Sequence, residues 1–530
     1  IRRQRQMCIR DSMRAIYEME NEFKMNNILE ILEETVKKHS EKIAVDDGEE
    51  TLKWRELLEL SRRYGTSFAR KTDRNKPVAI LMEKSAKTLS VMFGVVYAGC
   101  FYVMIDPSQP AERLQQILSV LSPELVITKS EFMGLLKEAD YEKEIYLADE
   151  GIHTGIDEEL LTGIRKESKI TDLLYGIFTS GSTGIPKGIV VSQKAVVDFI
   201  SHFVEIFRIN EEDRIGNQAP FDFDVSVKDI YSSVMTGAAL VLVPKKLFCS
   251  PAILLDYLCD KKVTNLTWAV SALTLISSLK GLSYKVPKDV KRVMFSGEVM
   301  PVKQLRLWQE ALPEAKFVNL YGPSEITCNC TYFNIERMYE DNEKIPIGKA
   351  FPGREVFLID DNNSIVDERD KVGEICVTGE SLSEGYYNNP KETEKRFIMY
   401  PLHNNEAVRC YRTGDLGYYG EDGELYFSGR CDFQIKHMGH RIELEEIERA
   451  INRIDKVDKS VCLMDYKHNY LVAFYQGNAM TEDIHRELKR SIPAYMIPRK
   501  LVQTEVFPLN KNGKTDRKYF MDIIDKRKRA

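Results

Sequence analysis

The stretch "IFTSGSTGIPKG", residues 177–188, decides how the rest of the chain is read. Gly181 and Gly184 permit backbone turns that a Cβ would block. Clustered N–H groups, together with the hydroxyls of Thr179, Ser180, Ser182 and Thr183, can then surround an anion, and Lys187 adds a mobile cation. The spacing is not the Gly-Lys-Ser/Thr pattern of a Walker loop. Apolar residues precede the loop (173–178) and follow it (189–191), so the segment reads as strand–loop–strand with a phosphate between the strands. A plain surface hairpin would not need this density of Gly, Ser, Thr, Pro and Lys.

Outward from the loop, two textures alternate. "NILEILEETVKKHS" (27–40) and "WRELLELSRRYGTSFA" (54–69) carry helical apolar spacing, while "PVAILM" (77–82), "LVITK" (125–129) and "ALVLVP" (239–244) are short β-branched runs. Strands interleaved with helices predict α/β layers around a parallel sheet. The uncharged residues 88–105 border on membrane-span length. With Gly99 near the middle and Asp106-Pro107 at the end, they read instead as a buried helix turning into a buried strand. From about residue 345 short runs such as "GREVFLID" and "GEICVTGE" predict an antiparallel, barrel-like part. From residue 431 a compact segment follows, with one charged helix, "IELEEIERAINRI" (442–454). The expected fold is therefore α/β: a large N-terminal domain of α/β layers plus a β-barrel-like part (25–430), then a small, mobile α+β C-terminal domain (431–530).

The 530 residues hold 75 Lys plus Arg against 81 Asp plus Glu, a formal charge of −6 that leaves no electrostatic footprint for nucleic acid. The basic run 526–529 reads as a solvated tail. Ten scattered cysteines without metal-ligand spacing argue against zinc and against a disulfide scaffold, and fit a reducing cytoplasm. The N-terminus lacks the apolar core of a signal peptide. "MCIRDS" (7–12) resembles a translated sequencing adapter, so residues 1–12 are expected to be an assembly artefact, with a native start at Met13, Met19 or Met25.

The phosphate loop resembles the signature of the adenylate-forming superfamily, which includes acyl-CoA synthetases, luciferases and the adenylation domains of nonribosomal peptide synthetases. The likeness extends over about residues 27–519. "NLYGPSEITCNC" (319–330) resembles the motif that holds adenine and magnesium. By that resemblance Asn319, Tyr321 and Gly322 contact the nucleotide, Tyr321 stacking on adenine. Ser324 lies near the α-phosphate and Glu325 ligates Mg²⁺, a hard oxygen for a hard cation. "YRTGDLG" (411–417) resembles the ribose motif, where Asp415 would accept from both hydroxyls. "GRCDFQIKHMGHRIELEEIE" (429–448) resembles the domain junction: Arg430 would reach ribose or phosphate, Asp432 would be the hinge, and Gly439 would line the thiol channel. "PLNKNGKTDRKY" (508–519) resembles the terminal motif, whose catalytic lysine would be Lys514. ATP and Mg²⁺ are thereby implied.

"FDFDVSVKDIYSSVMTGAAL" (221–240) resembles the amino-acid version of its motif, with Asp224 pairing the substrate's α-ammonium. The alternative is that Asp222 or Asp224 caps the following helix. Val225, Lys228, Ser296, Gly297, Leu320, Cys328 and Asn329 complete the expected pocket. "FSGEVMP" (295–301) and the junction motif resemble D-alanine–carrier-protein ligases more than typical peptide-synthetase domains. Lys228 departs from that pattern, since such ligases tend to carry an apolar residue there. It either snorkels outward or faces a polar or acidic substrate. The chain ends sixteen residues after Lys514, so the acceptor thiol is expected on a separate phosphopantetheinylated carrier protein. Rival readings are an acyl-CoA synthetase, which Asp224 disfavours, and a non-catalytic nucleotide-binding module, which the joint presence of Lys514, Glu325 and Asp415 disfavours.

Overall fold

The computed structural model describes residues 27–181, 184–403, 406–509 and 515–526. The expectations for residues 1–12, Ser182, Thr183, Lys514 and the end of the basic tail lie outside the described residues.

Two large sheets carry the N-terminal part. In the first, six strands run parallel in the order Ile43–Asp46, Ala239–Leu242, Arg214–Asn217, Asn265–Ala269, Arg292–Ser296 and Lys316–Tyr321, and antiparallel strands close both edges. The second has seven strands, with Pro77–Leu81 and Phe101–Ile105 parallel at its centre. These central strands are buried on every residue, as expected when helices cover both faces of a parallel sheet. The uncharged stretch folds as helix Ala86–Tyr97, a turn at Gly99 (φ 73°) and strand Phe101–Ile105. Among the described residues no helix is long and apolar enough to cross a membrane. The phosphate segment is antiparallel, with Leu173–Thr179 paired to Lys187–Ser192 at one end of the second sheet.

A third, five-stranded antiparallel sheet runs from Arg354–Ile359 to Leu425–Arg430. Beyond it the hairpin Gln434–His437/His440–Glu443 leads into helix Leu444–Asn452. A three-stranded sheet follows (Val457–Asp465, Tyr470–Gly477, Lys500–Gln503), with its own apolar core around Ile447, Ile451, Cys462, Ala473 and Leu488. This smaller unit is tied to the larger one by a buried ion pair, Arg113 Nη1 to Glu446 Oε1 at 2.6 Å.

Candidate functional site

The site forms at the carboxyl ends of the parallel strands, where open α/β sheets leave a crevice. Ala269, Ser296 and Tyr321 each end a strand there. Leu320 is buried in the last strand and Gly297 follows Ser296 at φ 96°. After Tyr321 the chain passes Gly322 and makes a short helical turn, Ser324–Ile326. Two consecutive non-glycines with positive φ follow, Thr327 (53°) and Cys328 (73°). Such strain persists only where the surroundings enforce it. Here it turns Cys328 and Asn329 inward, both almost fully buried.

The nucleotide residues of the sequence reading converge. Tyr321 Oη donates to Asp415 Oδ2 at 2.7 Å, and Arg430 pairs with the other oxygen of Asp415. Arg430 also holds Asp432 through Nε and Nη2, at 2.6 and 2.8 Å. One guanidinium thus joins the expected ribose carboxylate to the expected hinge. Burial opposes its charge, but Asp432 and Asp415 together raise its pKa. Asn319 Nδ2 donates to the Pro346 carbonyl at 2.8 Å. Lys187 Nζ pairs with Glu392 at 2.9 Å, beside the phosphate loop. Within that loop a Cβ on Gly181 would lie 2.0 Å from the Ile185 carbonyl oxygen, so only glycine fits. Gly184, at φ 82°, donates its N–H to the Gly181 carbonyl at 2.8 Å.

Glu325 is 1% exposed. Arg441 Nη1 donates to both of its carboxylate oxygens at 2.8 Å, and Tyr386 Oη donates to Oε1 at 2.7 Å. Burial pushes this carboxyl up, yet Arg441 and the hydroxyls of Tyr386 and Tyr411 hold it at about 2. A carboxylate is a hard-oxygen donor of the kind a divalent cation takes, and here Arg441 and Tyr386 occupy both of its oxygens.

Asp224 precedes helix Val225–Thr236, and its side chain makes no capping hydrogen bond among the described residues, which removes the cap reading. Its carboxylate is 7% exposed; burial raises its pKa, countered by a hydrogen bond from Ser324 and by the charge of Lys228. Cys328 Sγ donates to the Asp224 carbonyl at 3.1 Å. Val225 opens the helix beside it. Lys228, 1% exposed, does not snorkel: its Nζ points inward and donates to Asn329 Oδ1 at 2.7 Å.

Residues given no role in the sequence also meet these, most of them from the small unit. The hairpin Gln434–Glu443 enters the crevice. Ser180 Oγ donates to the Arg441 carbonyl at 2.8 Å and accepts from the Glu443 N–H at 3.2 Å. The Gly181 N–H donates to Glu446 Oε2 at 3.2 Å. Burial depresses the Lys436 ammonium, opposed by the charges of Asp415 and Asp224. Gly439 (φ 81°) donates its N–H to Glu298 at 2.7 Å, and a Cβ there would lie 3.3 Å from Ala269 Cβ. Within the terminal motif, Leu509 bridges Thr515, the Asp516 N–H donates to the Pro508 carbonyl, and Arg517 pairs with Glu448 and lies over the Phe433 ring.

The chain belongs to the AMP-binding enzyme family, whose match spans residues 32–387. It is 34% identical over 490 residues to the D-alanine--D-alanyl carrier protein ligase of Bacillus velezensis, covering 88% of this chain and 93% of that one. It is 30% identical over 501 residues to Surfactin synthase subunit 1 of Bacillus subtilis, covering 93% of this chain but spanning only 14% of that protein's length. The fold matches the Vibrio cholerae adenylation domain AlmE, solved with glycyl-adenosine-5'-phosphate, at a TM-score of 0.82 and 22% identity over 95% of this chain and 98% of that one.

Proposed function

We propose that the protein activates the carboxylate of an α-amino acid with ATP, releasing pyrophosphate, and passes the aminoacyl group to the phosphopantetheine thiol of a separate carrier protein. The observation that carries this reading is that Asp224 meets Ser324, Glu325 meets Arg441, and the same hairpin segment holds Ser180 and Gly181 of the glycine-rich loop. The full-length likeness to carrier-protein ligases supports it.

In the first half-reaction a carboxylate oxygen bonds to the α-phosphorus and pyrophosphate leaves. Asp224 holds the substrate ammonium and Asp415 the ribose. The loop N–H groups and hydroxyls face the phosphates, and Lys514 meets the charge that develops on them. Mg²⁺ held by Glu325 would supply further neutralisation of the triphosphate. In the second half-reaction the thiol sulfur bonds to the carbonyl carbon and AMP leaves.

The arrangement described above suits that second step. Arg441 occupies Glu325, Glu446 takes an N–H of the phosphate loop, and Gly439 lies against Ala269 where a slender thiol arm could pass. One cleft cannot hold Lys514 and the Gln434–Glu443 hairpin in the same place. The small domain (431–530) therefore pivots on the large one (25–430) at Asp432 between the two steps.

The test is amino-acid-dependent exchange of labelled pyrophosphate into ATP, run beside the same acids lacking their amino group. Exchange with amino acids alone supports the reading. Exchange with the deaminated acids alone would replace it with an acyl-CoA synthetase.

A further inference from the structure

The pocket's buried charges form two pairs. Asn217 bridges the first: its Nδ2 donates to Asp229 at 2.9 Å, while Lys84 Nζ donates to its Oδ1 and its carbonyl, each at 3.1 Å. Asp229 also feels the charge of Lys228, its neighbour in the chain. The second pair is Asp224 and Lys228, four residues apart on one turn at the start of helix Val225–Thr236. In the free protein these two offset one another across the pocket.

An α-amino acid disturbs the second pair alone. Its ammonium takes Asp224, and Lys228 is left as a buried cation. An ammonium has three hydrogens to donate. Among the described residues Lys228 gives one to Asn329 and has no carboxylate within ion-pair distance. A buried charge without a partner is strongly unfavourable. Tyr175 is a second buried donor without an acceptor. The Tyr175 hydroxyl is buried and unpartnered, on the strand Leu173–Thr179. Its ring stacks on Tyr102 at 6.1 Å, so it is held in place. With Asp224, Asp229, Lys84 and Lys228 all ionised, the substrate ammonium leaves one positive charge in excess, and the Lys228 ammonium and the Tyr175 hydroxyl are buried donors without a carboxylate acceptor.

We infer that this pocket is built for an amino acid with an acidic side chain, whose carboxylate pairs with Lys228 and accepts from Tyr175. The inference rests on the amino-acid ligase reading and narrows it. A carboxylate restores neutrality and supplies the missing acceptors. The corresponding amide supplies acceptors without charge, and alanine supplies neither, which sets the order acid, amide, alanine. Asn329 stays with Lys228 and orients it.

The experiment is pyrophosphate exchange by the wild-type protein with both stereoisomers of aspartate, glutamate, asparagine, glutamine and alanine. One acidic amino acid should exceed its amide and alanine in kcat/KM by about 10²-fold, since a site with unpaired polar groups rejects a substrate that cannot pair them. Lys228→Met should invert the preference toward the amide. A readout that needs no variant is the thermal shift of wild type with aminoacyl sulfamoyl-adenosines, where the acidic analogue should stabilise more than the alanyl one. Strong exchange with alanine or another neutral amino acid, with the acidic ones inert, overturns the inference and leaves the ligase reading standing. Exchange with deaminated acids alone overturns the ligase reading itself.

Discussion

Replacing Arg441 with alanine removes the guanidinium that seats the small domain in the catalytic cleft. The bond lost is a two-oxygen contact at 2.8 Å to a carboxylate that is 1% exposed. Removing one partner of a buried pair costs about 3–5 kcal/mol, because the other charge is stranded. Tyr386 still donates to Glu325 at 2.7 Å and water can enter the space vacated. The lower end, about 3 kcal/mol, is therefore the working figure, equivalent to about 10²-fold. The cost falls only on the arrangement with the hairpin inserted, since in the alternative arrangement Arg441 is away from Glu325. Arg441→Ala should accordingly slow aminoacyl transfer to a carrier protein by about 10²-fold while changing pyrophosphate exchange by less than about tenfold. Arg441→Lys should recover part of the loss through a single-point contact. Both half-reactions are measured on each variant. Equal losses in the two, or loading at the wild-type rate, would refute the pairing as the element that selects the second step.

Three further outcomes follow from the same geometry. Asp224→Ala should abolish amino-acid activation, and the deaminated substrate should lose about 2–5 kcal/mol in kcat/KM with the wild type, read by pyrophosphate exchange; equal use of both acids would contradict the role. Asp432→Pro fixes a backbone torsion at the pivot, and Gly439→Leu forces a side chain onto Ala269 at φ 81°. Each should spare exchange and impair carrier loading, and parallel loss of both activities would contradict the two-state scheme. His440 stacks on Tyr495 with centroids 3.7 Å apart, and burial depresses its pKa from 6.5 to about 4. Docking of the hairpin should thus be strongest above pH 6.5 and weaken as pH falls toward 4, with loading declining relative to exchange. His440→Phe should flatten that dependence, and an unchanged profile would count against it.

Much of this was legible in the sequence because the phosphate loop and the 319–330 motif bring their own local geometry. Density of Gly, Ser and Thr implied a tight turn between two strands, and Leu173–Thr179 and Lys187–Ser192 do pair on either side of one, although the Gly181 and Gly184 N–H groups are both taken within the protein. The helix-then-strand reading of residues 88–105 followed from Gly99 and was found. Residues whose position depends on domain docking were not legible. Arg441, Lys436 and Glu446 look like solvated charges on a hairpin and an amphipathic helix, and nothing local says they enter a cleft more than 100 residues distant from Glu325 and Ser180. Lys228 was ambiguous for a related reason. Its inward turn depends on Asn329, which reaches it only through the strained turn at Thr327 and Cys328.

The central claim is best tested on the acceptor itself. Incubate the protein with ATP, Mg²⁺, a mixture of amino acids and a phosphopantetheinylated carrier protein, and read the intact mass of the carrier. The account predicts a gain of one aminoacyl residue that requires ATP, is released by hydroxylamine, and disappears with Lys514→Ala. That variant should still bind ATP while losing adenylate formation by about 10²–10³-fold or more. A carrier of unchanged mass while coenzyme A becomes acylated, or loading that survives Lys514→Ala, would contradict it.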